Sequence, residues 1–134
     1  VNFHPDLTSI MVGVNDSRNG ITPQRYEAVY NMLLDDLPNS KIILMEPFCY
    51  RNQQDDETWA KQKELITAYQ QIVRKIAAER SAVFVPLVEV FEEAFQKAPR
   101  EYWIWDGTHP TYSGHQLLSR AWLKAAEPLL FPQN

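Results

Sequence analysis

Three short apolar runs, "LTSIMVGV" (7–14), "KIILMEP" (41–47) and "AVFVPL" (82–87), are separated by segments with helical periodicity. The runs are near-continuously apolar and do not alternate with polar residues as a half-exposed sheet would, so they read as strands buried on both faces. "NDSRNG" ends the first and Pro47 stops the second. Thr22-Pro23 reads as an N-cap followed by proline at the first helical position. Tyr26, Val29, Tyr30, Leu33 and Leu37 then recur at helical spacing, which predicts a helix over 23–37 with one buried stripe. Leu65, Ile66, Tyr69, Ile72, Val73 and Ile76 form the clearest stripe in the chain and predict a long helix over about 57–79. A short helix over 88–97 and a last one over about 111–126 complete the pattern. Strand followed by helix, three times over, is the grammar of a parallel sheet with helices on both faces. The expected fold class is therefore α/β, a flavodoxin-like three-layer α/β/α sandwich. Three strands make a thin sheet where small doubly wound domains usually carry five. The N-terminal strands are expected to be missing from this chain.

Composition narrows the partners. The chain has 134 residues, one domain at most, and its net charge of −4 opposes binding to nucleic acid. No apolar run approaches the roughly 20 residues that span a bilayer, so no membrane partner is expected. Cys49 is the only cysteine, and no Cys/His cluster has metal-ligand spacing. No signal peptide is visible, and the chain begins at Val1 without an initiator Met. The compartment stays open, with the single cysteine leaning towards the cytoplasm.

The chemistry concentrates in "YWIWDGTHPTYSGHQ" (102–116), where Asp106 precedes His109 by three residues in a polar loop. A histidine is an effective base near neutral pH only when its tautomer and orientation are fixed. A nearby carboxylate does this by accepting the proton on one ring nitrogen. Asn15, flanked by Gly13 and Asp16 at the end of the first strand, is a candidate donor to an oxyanion. Losing one such donor costs about 100- to 1,000-fold in rate in a protease. Other readings of these residues stand beside this one. An Asp-Gly-x-His run also forms turns in which the aspartate caps backbone amides, and "GVNDSRNG" is also a plain turn sequence. His4 and His115 read as structural or solvated, and Tyr102, Trp103 and Trp105 as packing.

"GVND" (13–16) after a strand and "DGTHPTYSGH" (106–115) before the last helix resemble the third and fifth sequence blocks of the SGNH hydrolases, also called GDSL esterases. The resemblance covers essentially the whole chain, as the C-terminal part of a single domain of that family. It implies a serine esterase with Asn15 in the oxyanion hole, His109 as catalytic base and Asp106 as its orienting acid. It further implies that Gly13 keeps the strand end uncrowded and that Asp16 holds the loop without doing chemistry. No metal or cofactor is implied, and the substrate is expected to be a short-chain or acetyl ester, with carbohydrate acetate the first choice. Tyr50, Arg51, Trp103 and Trp105 are expected near the acyl or sugar site.

The departure from the family is the nucleophile. Its first block carries serine in Gly-Asp-Ser, and none of Ser9, Ser17, Ser40, Ser81, Ser113 or Ser119 sits in that motif. The second block's oxyanion glycine is absent too. The chain is therefore expected to be a truncated or cleaved form, inactive alone, that self-associates or binds the missing N-terminal segment. The run at 7–14 would then present an open, apolar edge. The rival reading is a non-catalytic or degenerate doubly wound binding module.

Overall fold

The computed structural model describes residues 4–131. Strands β1 (Leu7–Ile10), β2 (Lys41–Met45) and β3 (Val83–Val85) form one parallel sheet in the order β1-β2-β3. Helices α1 (Val14–Arg18) and α2 (Pro23–Asp35) lie between β1 and β2, and α3 (Asp56–Glu79) lies between β2 and β3. The helices α4 (Leu87–Phe95), α5 (Arg100–Trp103) and α6 (Tyr112–Leu130) follow. The alternation read from the sequence is thus a parallel α/β sheet covered by helices.

Strand β2 shows why its sequence does not alternate. Successive side chains of a strand point to opposite faces, and both faces here are buried. Ile42 and Leu44 pack into one core with Tyr26, Tyr30, Tyr69 and Val73 from α2 and α3. Ile43 and Met45 pack into the other with Leu87, Phe91 and Ala126 from α4 and α6. The Tyr26 ring stacks on Tyr69 with centroids 3.9 Å apart. Thr22 caps α2 by accepting the Arg25 N–H, and Asp55 caps α3 by accepting the Thr58 N–H.

The structure departs from the sequence reading at particular residues. The first strand stops at Ile10, short of 14, because Gly13 at φ 128° turns the chain and the Val12 carbonyl accepts the Tyr26 hydroxyl. "NDSRNG" is not a plain loop but contributes most of α1, so Asn15 sits in a helical first turn. On α2 the buried stripe is Tyr26, Tyr30 and Leu34, whereas Val29 and Leu33 are 37% and 45% exposed. Those two, with Val12 and Ile21, line an open apolar cleft of about 270 Å³. Among the described residues nothing pairs with the outer edge of β1.

Candidate active site

The carboxyl end of β2 reaches the Asp–His loop. Glu46 donates its N–H to Val85 O, and its buried carboxylate accepts the Val88 N–H at 3.0 Å, capping α4. Burial pushes the Glu46 carboxyl up, against the pull of that N–H and of Arg74. Four residues on, Tyr50 donates its N–H to Gly107 O at 2.7 Å. Gly107 holds φ 83°, and a Cβ there would lie 2.2 Å from Tyr50 O. Only glycine lets the loop seat against this strand exit.

From that seat Asp106 divides its two oxygens. Oδ1 accepts the N–H groups of Thr108 at 2.9 Å and His109 at 2.7 Å. Oδ2 lies 2.6 Å from His109 Nδ1. One side chain thus caps the turn and contacts the ring. Burial raises the Asp106 pKa, but the hydrogen bonds from His109 and Thr108 outweigh it and hold the carboxyl at about 2. An ionised carboxylate can only accept, so Nδ1 carries the proton and Nε2 is left as a proton acceptor. Asp106 is the only hydrogen-bond partner of the ring among the described residues.

Residues from α1, α6 and the segments after β1 and β2 share a cleft with this imidazole. An apolar cleft of about 290 Å³ is lined by His109 with Met11, Val12, Val14, Phe48 and His115. Asn15, next to Val14, is exposed, and no hydrogen bond to a described residue holds its amide. Gly13 is buried, and a Cβ there would meet the Tyr26 hydroxyl at 3.1 Å and Pro47 at 3.3 Å. Asp16 is half-buried, and its carbonyl accepts the Ile21 N–H at 3.1 Å, closing α1 into the loop that follows. Ser17 is buried, with its hydroxyl donating to Val14 O at 2.7 Å and accepting from Gln62 at 3.3 Å. That hydroxyl is committed internally.

Of the four residues expected to line the site, Trp105 alone stands against His109, with ring centroids 6.3 Å apart. Trp103 is half-buried and packs against the α4/α6 core. Arg51 pairs with Asp56 at 2.6 Å, and Tyr50 contributes through its backbone. Sequence reading missed Arg18, which donates to the Thr108 hydroxyl at 2.8 Å and ties α1 to the Asp–His loop across 90 residues. It also missed Gly114, where a Cβ would lie 2.1 Å from Trp103 O. Among the described residues no group of three or more His, Cys, Asp or Glu converges as a metal site, and no helix is long and apolar enough to cross a membrane.

Comparison with known proteins extends this picture. A model of the GDSL-like lipase/acylhydrolase family matches residues 1–117. An acetylxylan esterase from Geobacillus stearothermophilus is 30% identical over 132 residues, covering 90% of this chain and 58% of that enzyme. The crystal structure of an acetylxylan esterase from the same organism superposes with a TM-score of 0.73 at 30% identity, over 91% of this chain and 59% of that one. A Parabacteroides merdae protein assigned as a GDSL-like lipase superposes with a TM-score of 0.79 at 33% identity, over 92% of this chain and 61% of that one. The chain thus spans about three fifths of the length of these relatives. Catalytic mutants of the Geobacillus enzyme replace a serine or an aspartate with alanine.

Proposed function

The chain belongs to the GDSL-like lipase/acylhydrolase family, and from that premise we propose that it carries the acid–base half of a serine esterase site. His109 Nε2 takes the proton of a serine hydroxyl as that oxygen attacks an ester carbonyl, then returns it to the leaving alcohol. Asp106 keeps the ring in the tautomer this needs and stabilises the imidazolium. The Asn15 amide donates to the oxyanion, with Gly13 and Asp16 fixing the turn that presents it. The observation that carries the reading is the 2.6 Å contact between Asp106 Oδ2 and His109 Nδ1 on a clasped loop.

The nucleophile comes from a segment outside these 134 residues, of which this chain forms the C-terminal part of one domain. Two features support that. No serine hydroxyl among the described residues bonds the ring, and Ser17 is bound to Val14 O. The outer edge of β1 is unpaired among the described residues, and the exposed Val29 and Leu33 line an apolar cleft with Val12 and Ile21, surfaces that a further strand and helix of the same protein would cover. The substrate is a short acyl ester, by preference an acetyl group on a xylan-type carbohydrate, as the name of the Geobacillus relative suggests.

Hydrolysis of 4-nitrophenyl esters by the full-length protein tests this. Acetate should be turned over at least about tenfold faster, as kcat/KM, than esters of eight carbons or more. A preference for long chains would overturn the short-acyl reading, and no hydrolysis of any ester would overturn the esterase reading itself.

A further inference from the structure

The His109 imidazole has two flanks. One faces the apolar cleft shared with Val12, Val14 and Phe48. Outside that cleft stands the Trp105 indole, tilted 33° to the imidazole and 64% exposed. Tyr102 and Tyr112, just outside the two ends of the same turn, are 56% and 96% exposed. Isolated exposed aromatics are ordinary, but three on one short segment beside a reactive histidine need a reason.

The segment is not loose. Ile104 and Pro110 form an antiparallel bridge, and Trp105 donates its N–H to His109 O at 3.2 Å. Thr111 donates its N–H to Trp103 O at 2.8 Å and its hydroxyl to Tyr102 O at 2.6 Å. The aromatic residues therefore stand on a clamped backbone, and the chain at Trp105 is held by the same bridge that holds His109. Rings held ready but left in water suit a ligand with one apolar face and polar edges. A pyranose fits: its axial C–H bonds meet the negative face of a π-system while its hydroxyls stay hydrated. An acyl chain would call for an enclosed groove, and the net charge of −4 opposes a polyanion.

We propose that Trp105 is a carbohydrate-stacking platform that holds a sugar ring of the substrate while the ester lies at His109. The proposal rests on the esterase reading and adds the residues that select sugar esters over simple ones.

Two measurements on the full-length protein separate the proposals. The first is calorimetric binding of unacetylated xylohexaose, which requires no catalysis. Trp105→Ala should weaken it about tenfold or more and Trp105→Phe should recover most of the loss, with both variants melting near the parent. The second is the selectivity ratio, kcat/KM for acetylated xylo-oligosaccharide over that for 4-nitrophenyl acetate. It should fall about tenfold in Trp105→Ala, chiefly through KM. Equal losses on both substrates would make Trp105 a support for His109 and overturn the platform. Xylohexaose binding that ignores the substitution, or no binding by the parent, would overturn it too. If the oligosaccharide binds through Trp105 but no ester is cleaved, the platform stands and the esterase reading fails.

Discussion

Asp106→Asn in the full-length protein lowers ester turnover by about 10³- to 10⁴-fold while leaving the fold intact, and His109→Ala lowers it at least as far. The contrast between activity and stability follows from how Asp106 divides its oxygens. An asparagine keeps one carbonyl oxygen, enough to accept the Thr108 and His109 N–H groups that close the turn. It places an amide where Oδ2 now meets His109 Nδ1. An amide there donates, so the ring must accept at Nδ1 and carry its proton on Nε2, where it cannot serve as a base. Turnover of 4-nitrophenyl acetate and a thermal melt check the two halves together. Turnover that falls only as far as the loss of folded protein explains would mean the carboxylate serves only the turn. The pH dependence has a definite sign as well. Asp106 has a depressed pKa of about 2, so its contribution to stability is present above its ordinary value near 4 and is lost as pH falls towards 2. Activity lost on acidification above about pH 4 does not come from Asp106.

Gly107→Ala is the most damaging single-methyl change expected in the loop. The new Cβ would lie 2.2 Å from Tyr50 O, a backbone atom of the residue whose N–H is bonded to the glycine, at a φ of 83° that L-residues resist. Neither partner of that clasp can move without releasing the other. The cost is about 3 kcal/mol or more in stability, or else a displaced loop. Displacement of about 1 Å at a reacting group costs on the order of 100-fold in rate. Gly20→Ala is the control, since Gly20 has φ 65° but an added methyl would meet nothing within 4 Å. It should cost only about 1 kcal/mol and leave turnover alone. Denaturant melts and turnover of the two variants side by side decide the matter. A Gly107→Ala protein as mild as Gly20→Ala would show that the clasp does not hold the loop.

The alternation of buried strands and helical stripes was legible because it depends on local periodicity. β2 is apolar at successive positions because Leu44 and Ile43 enter opposite cores. The Asp106–His109 pairing was legible for the same reason, since three residues on one turn bring carboxylate and imidazole together without help from distant elements. What escaped depends on contacts between distant parts of the chain. Arg18 reaching Thr108 leaves no trace in either local sequence, and α1 was hidden because Asn, Asp and Gly favour turns as readily as short helices. Leu34 takes the core place expected of Leu33 because Tyr26 of α2 stacks on Tyr69 of α3, leaving Val29 and Leu33 exposed beside Val12 and Ile21. The role of Gly107 needed the Tyr50 carbonyl to be seen.

The central claim is that His109 and Asp106 serve a serine that these 134 residues do not contain. Treating the full-length protein with a serine-directed fluorophosphonate and mapping the adduct by peptide mass spectrometry tests it most directly. The expected result is a single labelled serine outside this segment, with labelling slowed sharply by His109→Ala. A label on Ser17 or any other serine of the segment, or labelling indifferent to His109, would contradict it.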